Sequence, residues 1–205
     1  MRYILSVIIF LTAWSAGAQD KSLLDKVCQD VAKSCVTLEY TYTARLSGID
    51  NNGSGVLVSQ DDSWNVKGNG VEMYCDGASV WVVDPVSREV IIEPLADEQK
   101  TEFITNPARI FLNLDESFKV NSSNVSSDGK AQVFSLAPVI KSDLEYLNVE
   151  ILKDASSIRQ MSFALTDGTF VTIKVSSMKL TPKVSVEIFK PQMQFDSKWI
   201  VTDMR

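Results

Sequence analysis

Few side chains in this sequence could do chemistry, and most of what they say is exclusion. Asp61-Asp62 sets two carboxylates together, the material of acid–base catalysis or calcium binding. Neighbours on a strand point to opposite faces, however, so the pair reads as a turn. The sequence contains no histidine, which removes Ser–His and Cys–His nucleophile pairs and histidine-ligated zinc. It also has no GxGxxG, no P-loop and no CxxC. A hydrolase built on carboxylates or a Ser–Lys pair is a third-ranked reading, because no constellation for it is visible. The expectation is that the protein is not an enzyme and uses no metal and no cofactor. Asn52-Gly53-Ser54, Asn121-Ser122-Ser123 and Asn124-Val125-Ser126 match the glycosylation triplet, which arises readily by chance in polar loops.

The three cysteines, Cys28, Cys35 and Cys75, depend for their meaning on compartment. Under oxidising conditions one pair can form a disulfide and leave an odd thiol. Cys28 and Cys35 are the candidate pair if the helix carrying Cys28 ends near Lys33 and the chain turns back. Within one continuous helix they would lie about 10 Å apart, too far to bridge. Without a histidine, a structural cysteine is preferred to a reactive thiol.

The compartment is suggested by "MRYILSVIIFLTAWSAGAQD" at the N-terminus. Arg2 is a short positive segment, Ile4 to Trp14 is an apolar run too short to span a bilayer comfortably, and Ala16-Gly17-Ala18 is an A-x-A cleavage site. Residues 1–18 are therefore expected to be a signal peptide cut after Ala18. Residues 19–205, 187 in all, are enough for a single domain with a real core. Gln19 rather than Cys after the cut argues for export without a lipid anchor. Loss of Arg2 takes the net charge from −6 to −7, and the remaining Lys and Arg are scattered. Such a chain is a poor candidate for nucleic acid or anionic membrane surfaces.

The elements that would position these residues follow from periodicity. Leu23, Leu24, Val27 and Val31 fall at helical spacing. From Val36 the period changes to two: Val36, Leu38, Tyr40, Tyr42, Ala44 and Leu46 share one face of a long strand. "GIDNNGSG" reads as a turn, after which "VLVSQ" resumes the sheet. Short strands follow, joined at Gly68-Asn69-Gly70, Asp76-Gly77 and Asp84-Pro85. One or two short helices are expected among residues 96–118, the later one beginning near Asn106-Pro107 and reaching Leu114. After "FKVNSSNVSSDGKAQVFSLAP" and an excursion "VIKSDL", three strands are separated by turns at Asp154-Ala155-Ser156 and Asp167-Gly168. The tail "EIFKPQMQF" is apolar at intervals and is expected to dock on the body. Ten or so antiparallel strands in one sheet must curl, and the helices are what is available to cover the hollow. The stretch "SVWVVDP" leaves a question, since Trp and Val occupy both faces of a short strand and each face needs a cover.

In their order, an exported N-terminal helix, a long strand, "GVLV", "YCDGASVWVVDP", "NPARIFLNL", "MSFALTDGTFVTIKV" and a late "F.P...F" resemble the periplasmic lipoprotein carrier (LolA-like) family from about Leu23 to Phe195. The most specific piece is Asp76 to Pro85, which is similar to that family's DG-x-x-[LV]-W-x-Y-[DN]-P hairpin except for Val83 in place of Tyr. The resemblance implies a mainly β fold: a single strongly curved antiparallel sheet, an incomplete barrel, with a helical lid over a hydrophobic cavity. It also implies a periplasmic chaperone that takes lipoprotein acyl chains from an inner-membrane lipoprotein-releasing ABC transporter to an outer-membrane acceptor, acting as a monomer. Trp64, Met73, Trp81, Phe111, Leu112, Met161 and Phe163 are the candidate cavity and lid residues, with ordinary core as the competing reading for each. The family's latching arginine is missing, because "VSQDDSW" puts Asp61 or Asp62 about where it would stand. The second-ranked function is a periplasmic lipid- or lipoprotein-sensing domain of the same fold.

Overall fold

The structure, a computed structural model, describes residues 15–46, 48–96, 108, 111–112, 114–139 and 143–205. An N-terminal helix, α1 (Ser15–Ala32), leads into β1 (Cys35–Leu46), and hairpins β2 (Ile49–Gln60), β3 (Ser63–Gly68), β4 (Val71–Cys75), β5 (Ser79–Asp84) and β6 (Glu89–Pro94) follow. After a short helix α2 (Leu114–Ser117) come β7 (Phe118–Val125), β8 (Ala131–Pro138), β9 (Leu144–Leu152), β10 (Ser157–Leu165) and β11 (Phe170–Thr181). A tail with a 3-10 turn at Val186–Phe189 ends in β12 (Ile200–Asp203). All twelve strands form one open, curled sheet in the order β12-β6-β5-β4-β3-β2-β1-β11-β10-β9-β8-β7. Among the described residues every pairing is antiparallel except that of β12 with β6.

Local chemistry explains the turns. Asn69 and Gly70 both have positive φ (52° and 81°), as a two-residue hairpin with the right twist requires. Asp76 Oδ1 accepts bonds from the Ala78 and Ser79 amides, and Asp84 Oδ1 does the same for Val86 and Ser87. One expectation is corrected: "GIDNNGSG" is not a turn. Only the chain around Gly48 reverses, and Ile49 to Gly55 continue β2, with Gly53 opposite Tyr42 and Gly55 opposite Tyr40. These glycines accommodate rings rather than a bend.

The curl has a visible cause. Ser176, Arg159, Glu145 and Asn121 are each an extra residue where a strand pairing shifts register, and such bulges increase local twist. The bulge also re-aims Arg159, whose Nη1 lies 2.6 Å from Asp128 Oδ2 and whose Nη2 meets Glu150. This ties the β7–β8 turn to β9 and β10. The Arg159 bond, then those from Ser126 and the Lys130 amide, hold the Asp128 carboxyl well below the usual range. A carboxyl so depressed contributes stability above its ordinary titration range and loses it as pH falls. Arg159→Ala is therefore expected to lower the Tm by about 2–4 °C at pH 7, the modest size reflecting an exposed partner. The difference from wild type should shrink below about pH 4 in circular-dichroism melts.

The two faces of the sheet have different covers. On the inner face, Leu24, Val27 and Val31 of α1 join Val36, Leu38, Leu57, Phe134, Leu147 and Met161 in one buried cluster. The helix expected from Asn106 to Leu114 falls largely outside the described residues, but Ala108, Phe111 and Leu114 are buried in that same cluster. On the outer face a second cluster, Tyr74, Trp81, Val83, Val90 and Ile92, is covered by Met193, Phe195 and Trp199 of the tail. That resolves "SVWVVDP": Val80 and Val82 face inward, Trp81 and Val83 outward, and the tail rather than a helix closes the second face.

The tail crosses as a strap. Lys183 Nζ sits 2.6 Å from Asp61 Oδ1, and the Gln60 amide both accepts from Val184 N (2.7 Å) and donates to its carbonyl (3.1 Å). Asn65 Nδ2 donates to Ile188 O, Phe189 is fully buried, and Phe195 and Trp199 meet edge to face at 5.0 Å. Arg205 ends over the Trp81 ring at 5.9 Å.

Candidate functional site

Strand register builds an apolar row on the inner face. The Asn69-Gly70 turn sets Val66 opposite Met73, Met73 pairs with Val82, and Val82 pairs with Ile91. In the other direction Val66 pairs with Leu57, and Leu57 with Leu38. Six strands thus contribute one apolar side chain each, in line. Exposure rises along the line from Leu38 (1%) and Leu57 (0%) through half-buried Val66, Met73 and Val82 to Ile91 (42%). The neighbouring row, Val36, Ser59, Trp64, Cys75 and Val80, is buried throughout. The inner face therefore opens from a closed core into a flank of apolar surface that the described residues only half cover, a form suited to an apolar ligand.

Polar groups border this row on one side. One inner-face step beyond Leu38, Leu57 and Val66 lie Tyr40, Gly55 and Gly68, and the next step brings Tyr42 and Gly53, beside which the turn residue Asn69 lies. The tyrosine rings lie on bare backbone: a Cβ at Gly55 would come 2.9 Å from Tyr40 Oη, and one at Gly53 2.8 Å from Tyr42 Cε1. Asn69 folds back over Gly53 and its Nδ2 donates to Tyr42 Oη at 2.7 Å. At Gly68 a Cβ would meet Ser54 O at 2.4 Å, so close approach of β2 and β3 requires glycine there. Burial and then the nearness of Tyr42 hold the Tyr40 phenol above its usual range, so that hydroxyl keeps its proton.

The sequence-derived site residues divide between the two faces. Trp64, Met73, Phe111, Leu112, Met161 and Phe163 belong to the inner cluster, with Trp64, Phe111, Met161 and Phe163 fully inside it and Met73 and Leu112 half-buried. Trp81 is not with them, because its position in β5 turns it to the outer cluster under the tail. Sequence reasoning missed Tyr40, Tyr42, Asn69, Val66, Val82 and Ile91, although the Asn69-Gly70 turn already implied the Val66–Met73 pairing. Cys28, Cys35 and Cys75 are all thiols, so the candidate Cys28–Cys35 bridge is not formed. Cys28 sits on a half-buried helix position and Cys35 is buried at the start of β1, where Thr181 Oγ1 donates to its carbonyl. Burial pushes the Cys35 thiol up, away from the reactive thiolate. Asp61-Asp62 is a turn, Asp61 having φ 51°. Where a latching arginine was missing, Asp61 holds Lys183 of the strap.

Comparison with known proteins gives a family and a fold. Residues 64–192 match the family model described as outer membrane lipoprotein carrier protein LolA, from Trp64 in β3 to the strap. No curated protein sequence matches the chain. Among solved structures, an uncharacterized conserved protein from Thermus thermophilus superposes with a TM-score of 0.55 at 12% identity, covering 90% of this chain and 99% of that one. A LolA superfamily protein from Nitrosomonas europaea gives 0.44 at 13% identity over 84% of this chain and 97% of its own. An outer membrane lipoprotein-sorting protein domain from Vibrio parahaemolyticus gives 0.43 at 11% identity over 83% and 97%. At 12% identity the Thermus likeness is one of fold.

Proposed function

The chain belongs to the outer membrane lipoprotein carrier family, and on that premise we propose that it is a periplasmic carrier that shields lipoprotein acyl chains in transit. In this reading the signal peptide is removed after Ala18, an inner-membrane ABC transporter loads the protein, and an outer-membrane acceptor unloads it. The protein is a binding chaperone and catalyses no reaction. The observation that carries the reading is the inner-face row whose burial falls from Leu38 to Ile91.

The energetics favour a partly closed face. Burying a ~16-carbon acyl chain is worth roughly 12 kcal/mol gross at ~0.8 kcal/mol per CH₂. A carrier that realised all of it would not release its load. At Val66, Met73 and Val82 part of the apolar surface is already covered. An incoming chain there gains only the remainder, which leaves binding reversible.

Native mass spectrometry of the protein purified from a cell envelope, followed by lipid extraction, tests this directly. A co-purifying triacylated peptide or lipoprotein is the expected result. A protein that arrives empty and ignores added lipids and lipopeptides would overturn the carrier reading, and the lipid- or lipoprotein-sensing reading with it.

A further inference from the structure

We infer that Tyr40, Tyr42 and Asn69 form a neutral rim that hydrogen-bonds the ester carbonyls linking acyl chains to glycerol, so that the site reads the linkage as well as the hydrocarbon. The inference rests on the carrier reading above. Cross-strand stacking explains why the tyrosine rings lie on Gly53 and Gly55, since rings shield glycine gaps in a sheet. It does not explain the hydroxyls. Phenylalanine would cover the same backbone, yet two adjacent positions on this face carry a phenol. Asn69 Nδ2 occupies an acceptor position of Tyr42 Oη, so the Tyr42 proton is available to another group. Two phenol donors then stand side by side, one step from Leu38, Leu57 and Val66 of the apolar row.

Charge selects the ligand class. Among the described residues no cation shares this rim: Lys67 points to the outer face, where it pairs with Glu72 at 3.0 Å, and Arg45 is engaged by Asp50 at 2.7 Å on the exposed hairpin. At the other end of the row, Asp84 pairs in register with Glu89 one inner-face step beyond Val82 and Ile91. A rim of phenol donors with no described cation beside it, on a row that ends in two carboxylates, disfavours phosphate or a free fatty-acid anion and fits an uncharged ester.

The test uses the whole mature protein and three probes of equal chain length: a diacylglyceryl-cysteine lipopeptide, a diacylglycerol, and an ether-linked dialkylglycerol that lacks the carbonyls. Tyr40→Phe and Tyr42→Phe keep the rings over the glycines and remove only the hydroxyls. Each substitution is expected to weaken ester binding by about three- to tenfold while leaving the ether probe unchanged. Selective loss with either ester probe supports the rim, and which of them shows it separates protein-borne from free lipid as the source. Equal affinity of the variants and wild type for esters, or equal losses for ester and ether, would overturn the rim while leaving the carrier reading intact. No binding of any probe by wild type would overturn both.

Discussion

Met73→Glu is expected to weaken binding of an acyl probe by about 100-fold while the domain stays folded. Met73 stands at the middle of the row, between Val66 and Val82, and is half-buried. A carboxylate there keeps some water while the site is empty. When hydrocarbon covers it, that water must go, and an ionised group with no partner loses several kcal/mol of solvation. Each 1.4 kcal/mol is a factor of ten in affinity, so about 3 kcal/mol gives the stated loss. The folded state loses less, about 1–2 kcal/mol, because the position is only partly covered. Fluorescent acyl-probe titration beside a urea denaturation curve reads both quantities. Normal affinity in a folded variant would mean that the ligand does not follow this row.

Trp81→Ala is expected to do the reverse. It should remove about 3–5 kcal/mol of stability, a Tm decrease of about 10 °C, with acyl-probe affinity unchanged below the new transition. Trp81 is the largest side chain of the outer cluster that Met193, Phe195 and Trp199 of the strap cover, and has the Arg205 guanidinium over its ring. Removing the indole empties the interface that seats the strap. Affinity lost without stability would instead put Trp81 in the ligand path.

The contrast between these two residues shows where sequence reading succeeds and where it stops. The alternation from Val36 to Ala44, the helical spacing of Leu24, Val27 and Val31, and turns such as Asp76-Gly77 depend on near neighbours in the chain, so the strands were legible. Which face of β5 points inward is a different kind of fact. Trp81 and Val82 are equally apolar, and only the register with β4 and the arrival of residues more than a hundred positions later decide between them. "GIDNNGSG" failed for a related reason: glycine favours turns in isolation, but Gly53 and Gly55 are demanded by Tyr42 and Tyr40 across the strand pair. The tyrosines were legible as one face of β1, and what stayed hidden was the partner segment around Gly53 and Gly55, whose composition resembles a loop.

The strap has one further effect, a mechanical one. It is fastened at Gln60 and Asp61 on one side and along β6 on the other, and between these points it crosses the outer faces of β3, β4 and β5. The outside of a bent plate lengthens as the bend tightens and shortens as it relaxes. A tie of fixed length on that side goes taut when the sheet curls further and slack when it opens. It thus acts as a stop in one direction only, resisting further curling of the sheet and leaving its opening unopposed.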